Sequence, residues 1–203
     1  MTVYAQAQRE GQDAVRAAVL DTATHLLVSE GVAALTVRRI AAEAGCSTKV
    51  IYTLFGGKDG LVEALWLEGF ARFERALSSL ADRPLDRLLD LGVAYRSYAL
   101  SQPDYYRVMF LGAVPGFLPS TDALSAAKRT FQILVDSVAA CVAEGSLRGA
   151  PAEEIADLLW MAVHGATSLE ISGHVDPRVA EQRCQRLLMN VIAPYLADER
   201  TPS

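Results

Sequence analysis

Apolar residues recur along this chain with helical spacing almost throughout. Between residues 12 and 29, Val15, Val19, Thr22 and Leu26 fall at i, i+4, i+7 and i+11, and Ala18, Ala23 and Leu27 widen the stripe. This predicts a helix over 12–29 that stops at Gly31. Thr36 reads as an N-cap opening "VRRIAAEA", which ends at Gly45, and Ser47 as the N-cap of "TKVIYTLF". A longer helix should run from Lys58-Asp59 to about Leu80, with Leu61, Leu65, Phe73, Leu77 and Leu80 among its apolar positions. Pro84 suits the first turn of a helix to about Leu100. "SQPD" then breaks the chain before a short aromatic helix, "YYRVMFLG", and "AVPGFLPST" is a loop. Helices over about 122–145, 152–172 and 177–197 complete the pattern. No stretch alternates with a period of two, so the expectation is an all-α fold of about nine helices.

Composition fits a well-cored chain. Of 203 residues, 51% are apolar and 21% charged, enough for one large domain or a small one joined to a medium one. The N-terminal stretch lacks the apolar run of a signal peptide, and no later segment reaches the length of a membrane helix. Cys46, Cys141 and Cys184 are far apart and in no ligand spacing, which predicts reduced cytoplasm, no disulfide framework and no zinc site. No cofactor is called for.

The net charge of −5 argues against a nucleic-acid partner until it is divided by region. Residues 1–60 are neutral, and residues 61–203 carry the whole excess. Within 36–58 four bases (Arg38, Arg39, Lys49, Lys58) face one acid, Glu43. A local basic patch is compatible with this; a general polyanion binder is not.

Three closely spaced helices, the second and third joined only around Gly45, make the pattern of a helix-turn-helix, whose second helix enters the DNA major groove. At 100° per residue, Thr48, Lys49 and Tyr52 share a face with Ser47 at its start, while Val50, Ile51 and Leu54 lie opposite for docking. Hydroxyls bond phosphates or base edges, an ammonium neutralises phosphate or reaches guanine, and a phenol bonds phosphate while its ring packs on sugar or a thymine methyl. Thr36 could offer its hydroxyl or backbone N–H to a phosphate, with Arg38 one turn further in and Lys58 on the other flank. The same shape also occurs in proteins that never meet DNA, and a Lys and a Tyr on a short helix can simply be solvated.

"LTVRRIAAEAGCSTKVIYTLFGGKDGLVEAL" resembles the N-terminal motif of the TetR family of bacterial transcriptional regulators. Thr36, Ile40, Ala41, Ala44, Gly45, Ser47, Tyr52, Phe55, Lys58 and Leu61 stand at the family's spacing over about fifty residues. Cys46 replaces a usual Val as a small buried group, Lys49 a commonly small residue, and Leu54 a Tyr or His that often contacts DNA. Gly56-Gly57 replaces a link with less glycine and reads as a flexible joint to the next helix rather than a pivot with a role. Trp160, His164 and Gly165 resemble a subclass with a Trp followed by a His-Gly pair. The resemblance implies a homodimer that represses transcription and leaves its operator when a small molecule binds the C-terminal domain.

Helix 152–172 carries two stripes: Ile155, Leu158, Leu159, Ala162, Ala166 and Leu169 on one side, and Trp160, His164, Thr167 and Ile171 on another. Helix 177–197 has Ala180, Cys184, Leu187, Leu188, Val191, Ile192 and Tyr195 at helical spacing. Helices apolar on two sides bury both, against a large core or a second subunit. The reading favours a homodimer through 152–172 and 177–197, with an intramolecular core as the alternative. The domains expected are 1–57 for DNA binding, and 58–203 for dimerisation and an unidentified small-molecule ligand. Tyr95, Tyr98, Tyr106, Met109, Phe110, Phe117, Phe131, Trp160 and His164 are candidates for that ligand's pocket, against the alternative that they are plain core. His164 beside Gly165 reads rather as a structural hydrogen bonder at a close helix crossing. Cys46 reads as a buried hydrophobe rather than a redox sensor.

The resulting function is a ligand-responsive repressor that binds a palindromic double-stranded operator. A helical interaction protein without DNA contacts is the first alternative and an enzyme the last. The chain has no G-x-S-x-G, H-E-x-x-H, phosphate loop or C-x-x-C. Glu170 and His174 lie at i, i+4, but Gly173 falls between them and no third metal ligand is evident.

Overall fold

Nine α-helices and two short 3-10 turns carry the backbone in a computed structural model that describes residues 2–78 and 81–197. Among these residues there is no strand, only a single antiparallel bridge between Leu147 and Leu196. The helices are α1 (Val3–Glu30), α2 (Val37–Glu43), α3 (Thr48–Phe55), α4 (Lys58–Ala76), α5 (Pro84–Ser101), α6 (Pro103–Phe110), α7 (Thr121–Glu144), α8 (Ala152–Ile171) and α9 (Pro177–Ile192). The all-α expectation holds.

Several boundaries differ from the sequence reading. α1 starts at Val3, where the Thr2 side chain accepts from the Ala5 N–H, rather than near residue 12. Its first nine residues, 3–11, bury nothing, so the apolar period that marks an amphipathic helix is absent there. α4 ends at Ala76 with Leu77 buried behind it, and the expected position Leu80 lies outside the described residues. α9 passes at Ala193 into a 3-10 turn.

The chain divides into two compact units: Met1–Ala71 with Asp104–Ala126, and Arg72–Pro103 with Ala127–Ser203. In the first, Val19, Leu20, Ala23, Leu26 and Leu27 of α1 are buried, as are Leu35, Ile40, Ile51, Phe55, Leu61 and Leu65. Each fully buried aliphatic side chain contributes about 1.5–3 kcal/mol. α6 belongs to this unit. Tyr105 donates its hydroxyl to Asp21 of α1 at 3.0 Å, Met109 lies against Gly69 of α4, and the Phe70 and Phe110 rings meet edge-on at 5.4 Å.

In the second unit Leu88, Leu91 and Tyr95 of α5, Ile155, Leu159 and Val163 of α8, and Ala180, Cys184 and Ile192 of α9 are buried. Arg96 of α5 donates twice to the Glu170 carboxylate of α8, at 2.8 and 2.7 Å, and approaches Glu181 of α9 at 3.5 Å. Of the first stripe expected on α8, Ile155 and Leu159 are buried, but Leu158 and Leu169 are exposed. The α8 core centres on Ile155, Ala156, Leu159, Val163 and Thr167, a wedge turned away from those two leucines. Leu158, Met161 and Leu169 thus form an exposed apolar row with Gly165 in its middle, where an added Cβ would meet no atom within 4 Å. The close crossing expected at Gly165 is therefore not made among the described residues.

Candidate nucleic-acid interface

The turn between α2 and α3 runs through Gly45 in the left-handed region, φ 65°, where a Cβ would strain the backbone. Its geometry is held by the Cys46 N–H on the Ala41 carbonyl at 2.9 Å. Cys46 itself is half-buried rather than buried, because the turn carries it past the edge of the α2 core. Ser47 takes the extended N-cap backbone expected of it, but its side chain makes no capping bond. Its carbonyl receives the Val50 N–H at 3.0 Å, so the helix starts on backbone bonding and the Ser47 hydroxyl faces out.

α3 docks on Ile51 and Phe55, which are buried; Val50 and Leu54 are only half-buried. The docking face is thus rotated by about a fifth of a turn from the expected one, toward Phe55. Phe55 is the stronger anchor because its ring also receives the Arg16 guanidinium at 5.6 Å. The outward arc is Thr48, Lys49, Tyr52 and Thr53, all exposed. Sequence reasoning missed Thr53; the i, i+4 relation to Lys49 was the signal that could have found it.

Thr36 caps α2 by accepting the Arg39 N–H at 3.2 Å. Its own N–H is taken by the Ala34 carbonyl at 2.8 Å, so only the hydroxyl, not the backbone, can serve a phosphate. Arg39 is held by Glu30 at 3.0 Å and Glu43 at 3.8 Å, whereas Arg38 is exposed and has no carboxylate partner among the described residues. Lys58 is exposed at the start of α4. The joint before it is tightly specified. Gly56 (φ 72°) and Gly57 (φ 135°) both occupy conformations that L side chains avoid, and a Cβ on Gly60 would strike the Phe55 carbonyl. α4 therefore begins in contact with the end of α3.

A cleft of about 500 Å3 opens between α1 and α3. Gln8, Gly11, Gln12 and Val15 line one wall; Ser47, Lys49, Val50, Thr53 and Leu54 line the other.

The pocket candidates fall in both units. In the second, Tyr95 and Tyr98 are buried against Phe73, with ring centroids 5.2 and 5.0 Å away. Phe131 meets Trp160 at 5.8 Å, Trp160 meets His164 at 5.7 Å, and His164 Nδ1 shares a 2.9 Å hydrogen bond with the Tyr95 hydroxyl. In the first, Tyr106 is fully buried, Met109 is buried, and Phe110, half-buried, meets the Tyr106 ring at 5.1 Å. Phe117 is half-buried in the loop before α7. Thr167, fully buried on the His164 side of α8, has a hydroxyl without a hydrogen-bond partner among the described residues. Glu170, the possible metal ligand, is committed to Arg96.

Residues 19–65 match the family model of the bacterial regulatory proteins, tetR family, and residues 88–193 that of the tetracyclin repressor-like C-terminal domain. The second match alone spans more than half of the chain. The chain belongs to the tetR family. An HTH-type transcriptional regulator of Mycobacterium tuberculosis is 24% identical over an alignment 225 positions long, gaps included, that covers 93% of this chain and 96% of the relative. A Rhodococcus protein of unknown function shares the fold at TM-score 0.76 and 24% identity, over 90% of this chain and 96% of that one. A tetR-family regulatory protein from Rhodococcus does so at TM-score 0.70 and 20% identity, over 91% and 98%. This tetR-family chain is thus a DNA-binding transcriptional regulator, and dimerisation, ligand response and repression are typical of its family. Among the described residues no helix is long and apolar enough to cross a membrane.

His164 gives the regulator a pH-dependent stability. Burial lowers its pKa below the ordinary imidazole value of 6.5. Between those two pKa values the unfolded chain holds a proton that the folded chain refuses. The contribution is therefore fully present above about pH 6.5 and declines as pH falls toward the folded pKa. The urea midpoint should drop from pH 7.5 to pH 5.5, and His164→Gln should flatten that drop; an unchanged slope in the variant would assign it to other groups.

Proposed function

We propose that the chain binds a palindromic operator as a homodimer, with Ser47, Thr48, Lys49 and Tyr52 of each copy at the major groove. Thr36, Arg38 and Lys58 hold phosphates on either side. The observation that carries this reading is the two-sidedness of α3: Ile51 and Phe55 are buried, while hydroxyl, ammonium and phenol groups stand exposed on the opposite arc. Residues 1–57 act as the DNA-binding domain and 58–203 as the dimerisation and ligand domain, in the cytoplasm. Selection from random duplexes tests it. The expected product is an inverted repeat with half-site centres about 34–36 Å apart; enrichment of no sequence would leave α3 as an interaction surface for something else.

The exposed row Leu158, Met161, Gly165 and Leu169 supports dimerisation through 152–172 and 177–197. A row of apolar side chains with a glycine at its centre suits a close helix crossing with a second copy. Met161→Glu with Leu169→Glu should raise the dimer dissociation constant at least about a hundredfold, since both copies would bring like charges into the crossing without a cation to pair them. Sedimentation equilibrium reads it, and an unaltered dimer would move the interface elsewhere.

For the ligand, the second unit offers the Phe131–Trp160–His164–Tyr95 chain of contacts and the unsatisfied Thr167 hydroxyl, an omission that costs about 1–3 kcal/mol. A moderately apolar molecule with one polar group fits that chemistry. It releases the operator only by preferring the dimer state that does not bind DNA.

A further inference from the structure

The N-terminal part of α1 is a long exposed helix with no role in the core. Its buried residues begin at Val19, yet the helix starts at Val3. We propose that this segment is a second DNA-contacting surface, and that a phosphate–sugar strand flanking the half-site lies in the cleft between α1 and α3. The proposal rests on the DNA-binding reading of α3 and extends it to residues outside the helix-turn-helix.

Three observations point to this occupant. The first is continuity: the far wall of the cleft carries Ser47 and Lys49, which belong to the proposed groove face, and the near wall carries the amides of Gln8 and Gln12. Side-chain amides, hydroxyls and ammonium groups are the donors that position proteins on phosphate oxygens.

The second is the distribution of charge. At 100° per residue, Tyr4, Gln8, Gly11 and Val15 form one strip of α1, with Gln12 at its edge. The only acids of the segment, Glu10 and Asp13, project to the opposite side, while Arg9 flanks the strip beyond Gln12; Arg16, further along, is held by Glu68 at 3.8 Å and lies on the Phe55 ring. A segment neutral in sum thus turns an acid-free, base-flanked face toward the cleft, as a polyanionic strand requires.

The third is Gly11. Glycine weakens a helix interior relative to alanine, and packing is the usual compensation. Here a Cβ on Gly11 would meet nothing within 4 Å, and the residue has no left-handed backbone to excuse it. Its bare backbone faces the cleft that also holds Lys49. A close approach by a strand from outside the chain accounts for the missing side chain.

The test uses the full-length protein and its selected operator, as a duplex ending at the half-sites and as one extended by about six base pairs, roughly 20 Å, at each end. Wild type should bind the extended duplex more tightly. Gly11→Leu, and separately Gln8→Ala with Gln12→Ala, should weaken binding to the extended duplex about tenfold and abolish its advantage over the short one. Gly11→Leu should not lower the melting temperature, because the site is open and leucine favours the helix. If both variants bind the two duplexes as wild type does while Lys49→Ala weakens both, the strip is merely solvated and α3 alone reads DNA. If wild type binds no duplex, the reading of α3 fails and this one with it.

Discussion

Arg96→Ala should destabilise the second unit by about 3–5 kcal/mol, the range for breaking a buried ion pair by removing one partner. The geometry places it at that end of the scale. Arg96 and Glu170 side chains are 16% and 7% exposed, and the two donations at 2.8 and 2.7 Å are the parallel fork that guanidinium and carboxylate form best. The Glu170 hydrogen bond also raises the arginine pKa against the opposing effect of burial. Glu181 adds little, being exposed and 3.5 Å away. Without Arg96, Glu170 is a carboxylate at a buried crossing of α5 and α8. Arg96→Leu with Glu170→Leu should recover most of the loss, because a well-packed apolar pair of similar volume replaces an ion pair at little net change. Chemical denaturation of the single and double variants reads both effects. A loss below about 1 kcal/mol for Arg96→Ala would place the pair with ordinary surface bridges.

The elements most legible in the sequence are those whose burial is one-sided. α2, α3 and α5 declare themselves by apolar period and by a cap or first-turn proline, and their boundaries fall within two residues of expectation. The first nine residues of α1 do not, because a helix that buries nothing leaves no period to read. Pattern alone also misplaces faces. Val50, Ile51 and Leu54 make a plausible apolar side of α3, yet the core selects Ile51 and Phe55, and Phe55 lies at the end of the helix where its direction depends on the following turn. On α8 the apolar residues run nearly all round, so no stripe could say that Ile155 would be buried and Leu169 exposed.

The Gly56-Gly57 joint shows the same limit from the other side. Two glycines in a row read as a loose link. In the fold each holds a positive φ, and Gly60 just beyond allows the α4 backbone to touch the Phe55 carbonyl. The glycines supply the dihedrals that this turn between α3 and α4 requires. Flexibility and a demanding turn call for the same residue, and only the dihedrals separate them.

Lys49→Ala with Tyr52→Ala should raise the operator dissociation constant about a thousandfold while leaving the fold intact. Two contacts on each of two half-sites, at about 1 kcal/mol each, come to roughly 4 kcal/mol. Neither side chain has work inside the molecule: Lys49 makes no ion pair among the described residues, and Tyr52 is 58% exposed. Circular dichroism and the melting temperature should therefore stay unchanged. Lys49→Ala alone separates charge from shape. If its ammonium meets a phosphate in each half-site, the slope of log affinity against log salt should shrink by about 2. If it reads guanine instead, the selected site should also lose preference at that base pair. Arg39→Ala is the control. Its guanidinium is already held by Glu30 and Glu43, so the salt slope should not move. An affinity and a slope both unchanged in Lys49→Ala would remove α3 from the groove, however well its outer face suits one.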